Sequence, residues 1–193
     1  MAQPIGSWSS RVVVIGASAG GVEAIKYIAS QLPPDFAAAV LVVLHIPHNS
    51  VSVLPDILRR AGPLPAVHAS TREPMRPGRI YVAPPDRHML ITRSEVRAVF
   101  GPRENGHRPA VDPLFRSAAQ AFGADAIGVV LTGNLDDGTA GLLAIKQAGG
   151  TAIVQDPADA MYPGMPRSAI HSVDADFVVR LDDVPETIVR LVS

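Results

Sequence analysis

The sequence predicts an α/β fold of the Rossmann-like kind: a doubly wound, mostly parallel sheet with flanking helices and a small antiparallel hairpin. Two observations carry this. Short apolar runs rich in β-branched residues alternate with stretches of helical spacing, as in βαβ units. Polar clusters recur directly after the apolar runs, where parallel sheets present their ligands. The 193 residues, 47% hydrophobic and 18% charged, suit one domain with a full core and no need of disulfides or metals.

The first strand is residues 11–15, a β-branched run that ends at a glycine. Residues 16–21 make a tight turn, and residues 22–31 a helix with Ile25 and Ile28 on one face, stopped by Pro33 and Pro34. Residues 37–44 are a second apolar strand, and 51–60 a helix in which Pro55 must sit in the first turn or make a kink. The middle differs: residues 72–78 are turn-rich, and 79–83, 88–92 and 96–100 are short strands, the last two forming a hairpin around 93–95. Residues 101–108 read as a loop, followed by a helix over 112–122 with Asp112 as N-cap and Pro113 at its first position. The alternation resumes with a strand over 126–131, a turn over 132–137, a helix over 138–148 and a strand over 151–154. A helix from 166 to 171, a strand over 177–180 and a helix over 184–191 complete the chain.

Composition excludes several functions. A net charge of -1 argues against a nucleic-acid grip, which needs a clear basic patch. The absence of cysteine removes disulfides, thiol catalysis and thiolate metal sites. The first ten residues lack the basic and apolar regions of a secretory signal, and the longest apolar run, residues 36–44, is too short to span a bilayer. The expectation is a soluble, cytoplasmic protein without membrane insertion, with residues 1–10 a tail and 11–193 one domain.

Three polar clusters lie at strand ends and are expected on one rim. The first is Gly16-Ala17-Ser18-Ala19-Gly20-Gly21. Small residues there let the chain turn sharply, and the following helix start offers N–H donors to an oxyanion beside Ser18. Residues 16–20 match the G-x-S-x-G elbow, but it follows the first strand, which argues against an α/β-hydrolase. Taken alone, the turn fits a helix cap or a phosphate-binding loop better than catalysis, although no complete G-x-G-x-x-G or G-K-[ST] pattern is present.

The second cluster is His45, at the end of a strongly apolar strand, where it can supply the base a serine hydroxyl needs. His48, His68, His88, His107 and His171 compete with it, but none closes so convincing a central strand. The third is Leu131-Thr132-Gly133-Asn134-Leu135-Asp136-Asp137-Gly138, whose aspartates can orient a base or cap a helix. Arg108 and Asp112 are read as a pair or as shapers of the cleft, Met165 and Arg167 as candidates for the substrate groove, and His88 as structural.

These clusters, with Ala83-Pro84-Pro85-Asp86-Arg87-His88, the segment from Arg108 to Ala118 and Gly164-Met165-Pro166-Arg167, together resemble the catalytic domain of bacterial chemotaxis protein-glutamate methylesterases. The segments run in the family's order over nearly the whole chain. The resemblance implies hydrolysis of glutamate γ-methyl esters on the cytoplasmic helical region of methylated chemoreceptors, with release of methanol, and deamidation of certain receptor glutamines. It maps the catalytic serine, histidine and aspartate to Ser18, His45 and Asp137, and gives Asp136 no catalytic role. It assigns the oxyanion to the backbone N–H groups of Ala19 and Asn134, and calls for no metal or cofactor.

Two features depart from the family's pattern. Asn134 stands where methionine is usual, which leaves a backbone donor intact but adds a side-chain amide that can alter substrate choice. The residues before the first strand are too few for a regulatory receiver domain, so the expectation is a stand-alone catalytic domain or a piece of a longer chain, with a separate receiver protein as a candidate partner. A catalytically silent protein-binding module on the same scaffold is the alternative, and a nucleotide-binding protein using the glycine turn a third reading.

Overall fold

The computed structural model describes residues 11–46 and 51–193. The expected tail over 1–10 and the competing His48 lie outside the described residues. In chain order the elements are β1 (Val12–Ala17), α1 (Gly21–Gln31), β2 (Ala39–Leu44), α2 (Leu54–Ala61), β3 (Ala66–His68), β4 (Glu73–Pro74), β5 (Ile80–Val82), β6 (His88–Ile91), β7 (Glu95–Val99), α3 (Val111–Phe122), β8 (Ala126–Val130), α4 (Thr139–Gln147), β9 (Thr151–Gln155), α5 (Gly164–Ser172), β10 (Phe177–Val179) and α6 (Val184–Val192).

Seven strands form one sheet in the order β10-β9-β8-β1-β2-β5-β3, and every pairing in it is parallel. Strands in such a sheet are covered on both faces, so they must be apolar throughout rather than alternating. β1 is buried along its whole length. Val12 and Val14 join the core under α3, α4 and α5, while Val13, Ile15 and Ala17 join the core under α1, α2 and α6. Each large apolar side chain so enclosed contributes roughly 1.5–3 kcal/mol. This is the doubly wound architecture that the βα alternation predicts.

The chain leaves β1 for β2 on one side and later returns to β8 on the other. That reversal opens a crevice beyond the carboxyl end of β1, the place where such sheets bind ligands. A second sheet, β4-β7-β6, is antiparallel. It contains the expected hairpin, closed by a hydrogen bond from Thr92 N to Glu95 O at 2.9 Å.

Several boundaries differ from the sequence reading. β3 and β4 were not expected, because three and two residues are too few to display a period. Pro55 lies in the first turn of α2, as its missing N–H requires. α5 begins at Gly164, two residues before the expected start, and Pro166 is tolerated because first-turn N–H groups have no intrahelical partner. α3 starts at Val111 with Ala110 as its N-cap residue, and no side chain of its own caps it. Asp112 is therefore not the N-cap, and its carboxylate serves another helix, as described below.

β1 and α3 approach closely at Gly16, where a β-carbon would lie 2.3 Å from Val111 Cγ1 and 2.8 Å from Cγ2. Valine is stiff at χ1 and cannot swing aside. Gly16→Ala is expected to destabilise the protein by about 1–3 kcal/mol. In urea unfolding the midpoint should drop at an unchanged m-value.

Candidate active site

The three polar clusters meet at the crevice because β2 and β8 are the two neighbours of β1. The serine turn is tied down on the β8 side. Ser18 N donates to Thr132 O at 3.0 Å, and Thr132 Oγ1 donates to Ala19 O at 3.0 Å and accepts from Tyr162 N at 2.9 Å. Thr132 N in turn donates to Gln155 Oε1 at 2.9 Å. Gly20 takes φ 76° to enter α1, a left-handed conformation that favours glycine. Gly133 packs so closely that a β-carbon on it would stand 2.8 Å from Ser18 Cβ. The N–H groups of Ala19 and of Asn134, which follows Gly133, enter no backbone hydrogen bond among the described residues.

His45 continues the ladder of β2, with its N donating to Ala17 O at 3.1 Å. Its Nε2 lies 2.6 Å from Asp137 Oδ2, and the two side chains are 5% and 1% exposed. A proton on Nε2 donated to that carboxylate leaves Nδ1 as the basic nitrogen. Nδ1 is buried and has no hydrogen-bond partner among the described residues. Ser18 and His45 line one open cleft of about 320 Å³, with no hydrogen bond between their side chains. Looseness of this kind is common before substrate binds.

Asp137 is held from four directions. Oδ2 accepts from Val111 N at 2.7 Å as well as from His45, while Oδ1 accepts from Asn105 Nδ2 at 2.9 Å and Asp112 N at 3.1 Å. Thus Asp137, just before α4, caps the start of α3. Asp112, in the first turn of α3, returns the favour to α4: its Oδ1 accepts from Gly138 N at 3.0 Å and Gly141 N at 2.7 Å. Asn105 Nδ2 also donates to Asp112 Oδ2 at 2.8 Å and so bridges the two carboxylates.

The two acids respond differently. Burial pushes Asp137 up, but hydrogen bonds from His45, Val111 and Asn105 outweigh it and hold the group below its ordinary value. Burial dominates at Asp112 and raises it, aided by the nearby charge of Asp137 and opposed by Gly141 N–H, Asn105 and Arg116. A helix N-terminus offers unpaired donors and a favourable field to a carboxylate, which is why both acids tolerate burial.

The rest of the cleft is made by Ile46, Arg103, Gly106, His107 and Arg108. His107 stacks on His45 with ring centroids 3.6 Å apart and planes 8° apart. Burial, and then the like charge of His45, lower its pKa. Glu104 and His107 exchange both backbone hydrogen bonds, at 3.1 and 2.8 Å, around Asn105 at φ 51° and Gly106 at φ 78°. Positive φ at both central residues marks the tight hairpin turn for which Asn-Gly is the strongest short signal. A polar loop over residues 101–108 signals neither Asn105 nor the placement of His107; the Asn-Gly dipeptide within it is the local signal for the turn that carries them.

Other expectations are corrected. Of the two roles expected for Arg108, pairing with Asp112 fails while lining the cleft holds: its guanidinium binds Asp86 Oδ1 at 2.6 and 2.9 Å and lies 3.9 Å from the centre of the Phe100 ring. Met165 is fully buried against Gly133, whose β-carbon would meet its Sδ at 2.2 Å. It supports the turn after β8 from below and does not line a groove. Arg167 is exposed but is not among the residues lining the cleft. His88 is structural as expected, with Nε2 donating to Pro102 O at 2.8 Å and Nδ1 accepting from Ala110 N at 3.2 Å. Among the described residues no group of three or more His, Asp or Glu is placed to hold a metal ion, and no helix is long and apolar enough to cross a membrane.

Comparison with known proteins is consistent across sequence and structure. The family model described as CheB methylesterase matches residues 13–188. The chain is 40% identical, over 95% of its length, to protein-glutamate methylesterase/protein-glutamine glutaminase 2 of Syntrophus aciditrophicus, and spans 54% of that protein. It is 39% identical to a putative protein-glutamate methylesterase/protein-glutamine glutaminase of Leptospira interrogans, covering 93% of both chains. It superimposes on the crystal structure of the Thermotoga maritima CheB methylesterase catalytic domain with a TM-score of 0.90 at 34% identity, over 94% of this chain and 98% of that one.

The depressed carboxyl of Asp137 makes a testable link to stability. Its contribution is complete above the ordinary value of 3.8 and is lost as pH falls through the lower folded value. Asp112, shifted upward, contributes with the opposite sign. Asp137→Asn is expected to lower the urea midpoint at pH 7, and the gap to the parent protein should narrow by pH 3. A gap independent of pH would refute the electrostatic part.

Proposed function

The chain belongs to the CheB methylesterase family, and from that membership we propose that it hydrolyses glutamate γ-methyl esters on chemoreceptors and releases methanol. One observation supports the assignment to residues: Ser18 and His45 directly follow the adjacent strands β1 and β2, and Asp137, in the segment between β8 and α4, reaches His45 with a bond of 2.6 Å. The unit that acts is the domain over residues 11–193, working in the cytoplasm on the helical region of the receptors.

The geometry supports the following sequence of steps. Ser18 Oγ attacks the ester carbonyl, and its proton passes to His45 Nδ1, the nitrogen Asp137 leaves free. Asp137 stabilises the imidazolium and keeps the proton on Nε2. The oxyanion is met by the N–H groups of Ala19 and Asn134, which have no competing backbone acceptor among the described residues. Collapse breaks the bond to methoxide, which leaves as methanol with the proton from Nδ1. A water then gives its proton to Nδ1 and attacks the acyl-enzyme, restoring Ser18 and releasing the glutamate carboxylate. With a glutamine side chain the same sequence expels ammonia, which fits the glutaminase half of the relatives' names. A substrate on a helical bundle needs side-on access, and the cleft is open.

The test is methanol release from methyl-labelled chemoreceptor membranes. Ser18→Ala and His45→Ala are expected to lower kcat by about 10⁶-fold, and Asp137→Ala by the smaller factor of roughly 10⁴. A folded parent protein that releases no methanol from several receptors would favour a silent binding module instead.

A further inference from the structure

The bond from Nε2 to Asp137 fixes one atom of the His45 ring and leaves the ring free to tilt about that line. His45 Nδ1 has no partner among the described residues to prevent this. His107 covers the ring face at 3.6 Å and within 8° of parallel, which removes the tilt. The carboxylate has a parallel problem. Without the amide of Asn105 at 2.9 Å, Oδ1 of Asp137 would keep only the longer bond from Asp112 N at 3.1 Å. Both supports come from one tight turn over residues 104–107, closed by the paired hydrogen bonds of Glu104 and His107.

We propose that the turn over residues 104–107 is a positioning element for this reaction, with His107 holding the plane of His45 and Asn105 holding the carboxylate of Asp137. The inference rests on the esterase reading above. Neither residue exchanges a proton with substrate: both act through the groups they touch. A general base must be held within about 10–20° of its productive orientation, and the stack supplies that restraint in the direction the hydrogen bond leaves open. The stack also requires His107 to be neutral. His45 after β2, Asp137 before α4 and Arg103 on the same loop all act on its charge, and Arg108 lines the same cleft. A proton on His107 would set a cation against the imidazolium that forms on His45 during turnover.

The experiment is steady-state methanol release by the parent chain, His107→Ala, His107→Phe and Asn105→Gly, with Ser18→Ala as the blank. His107→Ala should lower kcat about 10- to 100-fold, the scale of a small misplacement at a reacting group, with KM within about twofold. His107→Phe keeps a flat ring and should recover kcat to within about threefold of the parent. Asn105→Gly keeps the positive φ without the amide and should lower kcat about tenfold. The acid limb of kcat/KM should steepen beyond one proton at its lower end in the parent and revert to one proton in His107→Phe. Equal kcat across the variants, or a rise in KM at constant kcat, would overturn the positioning role while leaving the esterase reading intact. If the parent releases no more methanol than Ser18→Ala, the esterase reading itself fails and the inference falls with it.

Discussion

The exchange of caps between α3 and α4 is the constraint on which the rest of the site depends. Each helix begins in the interior with N–H groups its own backbone cannot satisfy. Asp137 supplies the acceptors for α3 and Asp112 those for α4. An unsatisfied buried donor costs about 1–3 kcal/mol, so neither helix can shift without exposing that penalty. The carboxylate proposed to orient His45 is therefore also a fastener between two helices, and its position is fixed by the packing of the fold.

This arrangement explains how a carboxylate with 1% of its side chain exposed remains an anion. Desolvation alone would favour the neutral acid. Hydrogen bonds from His45, Val111 and Asn105 reverse the balance at Asp137, whereas at Asp112 burial still wins. Asn105 lies between the two oxygens facing each other and replaces a repulsive contact with two hydrogen bonds. An ionised, immobile Asp137 then sets the tautomer of His45, which leaves the nitrogen on the other side of the ring as the proposed base.

The sheet contributes the other half of the geometry. Because β1 lies between β2 and β8, the residues that follow these three strands emerge side by side. Thr132 and Gly133 draw the segment after β8 onto the serine turn, the first by hydrogen bonds and the second by having no side chain. Met165 fills the space beneath, so a residue that faces no substrate still decides how close the proposed oxyanion donors come to Ser18.

What the sequence determined by itself is what local periodicity and punctuation encode. Apolar runs such as residues 39–44 must be buried on both faces, the Gly20-Gly21 pair permits a sharp turn, and polar residues directly after apolar strands belong to a rim. These facts put Ser18, His45 and Asp137 on one expected rim, and the resemblance of the motifs implies the chemistry proposed for them. Contacts between distant segments have no such local signature. Only the tertiary structure decided that Nε2 of His45 meets Asp137 across 92 positions, that Asp112 caps a helix 26 to 29 residues away, and that Met165 faces inward. The Asn-Gly turn was legible as a turn, but its targets were not. A dipeptide fixes its own backbone angles, whereas which side chains it meets depends on how whole elements pack.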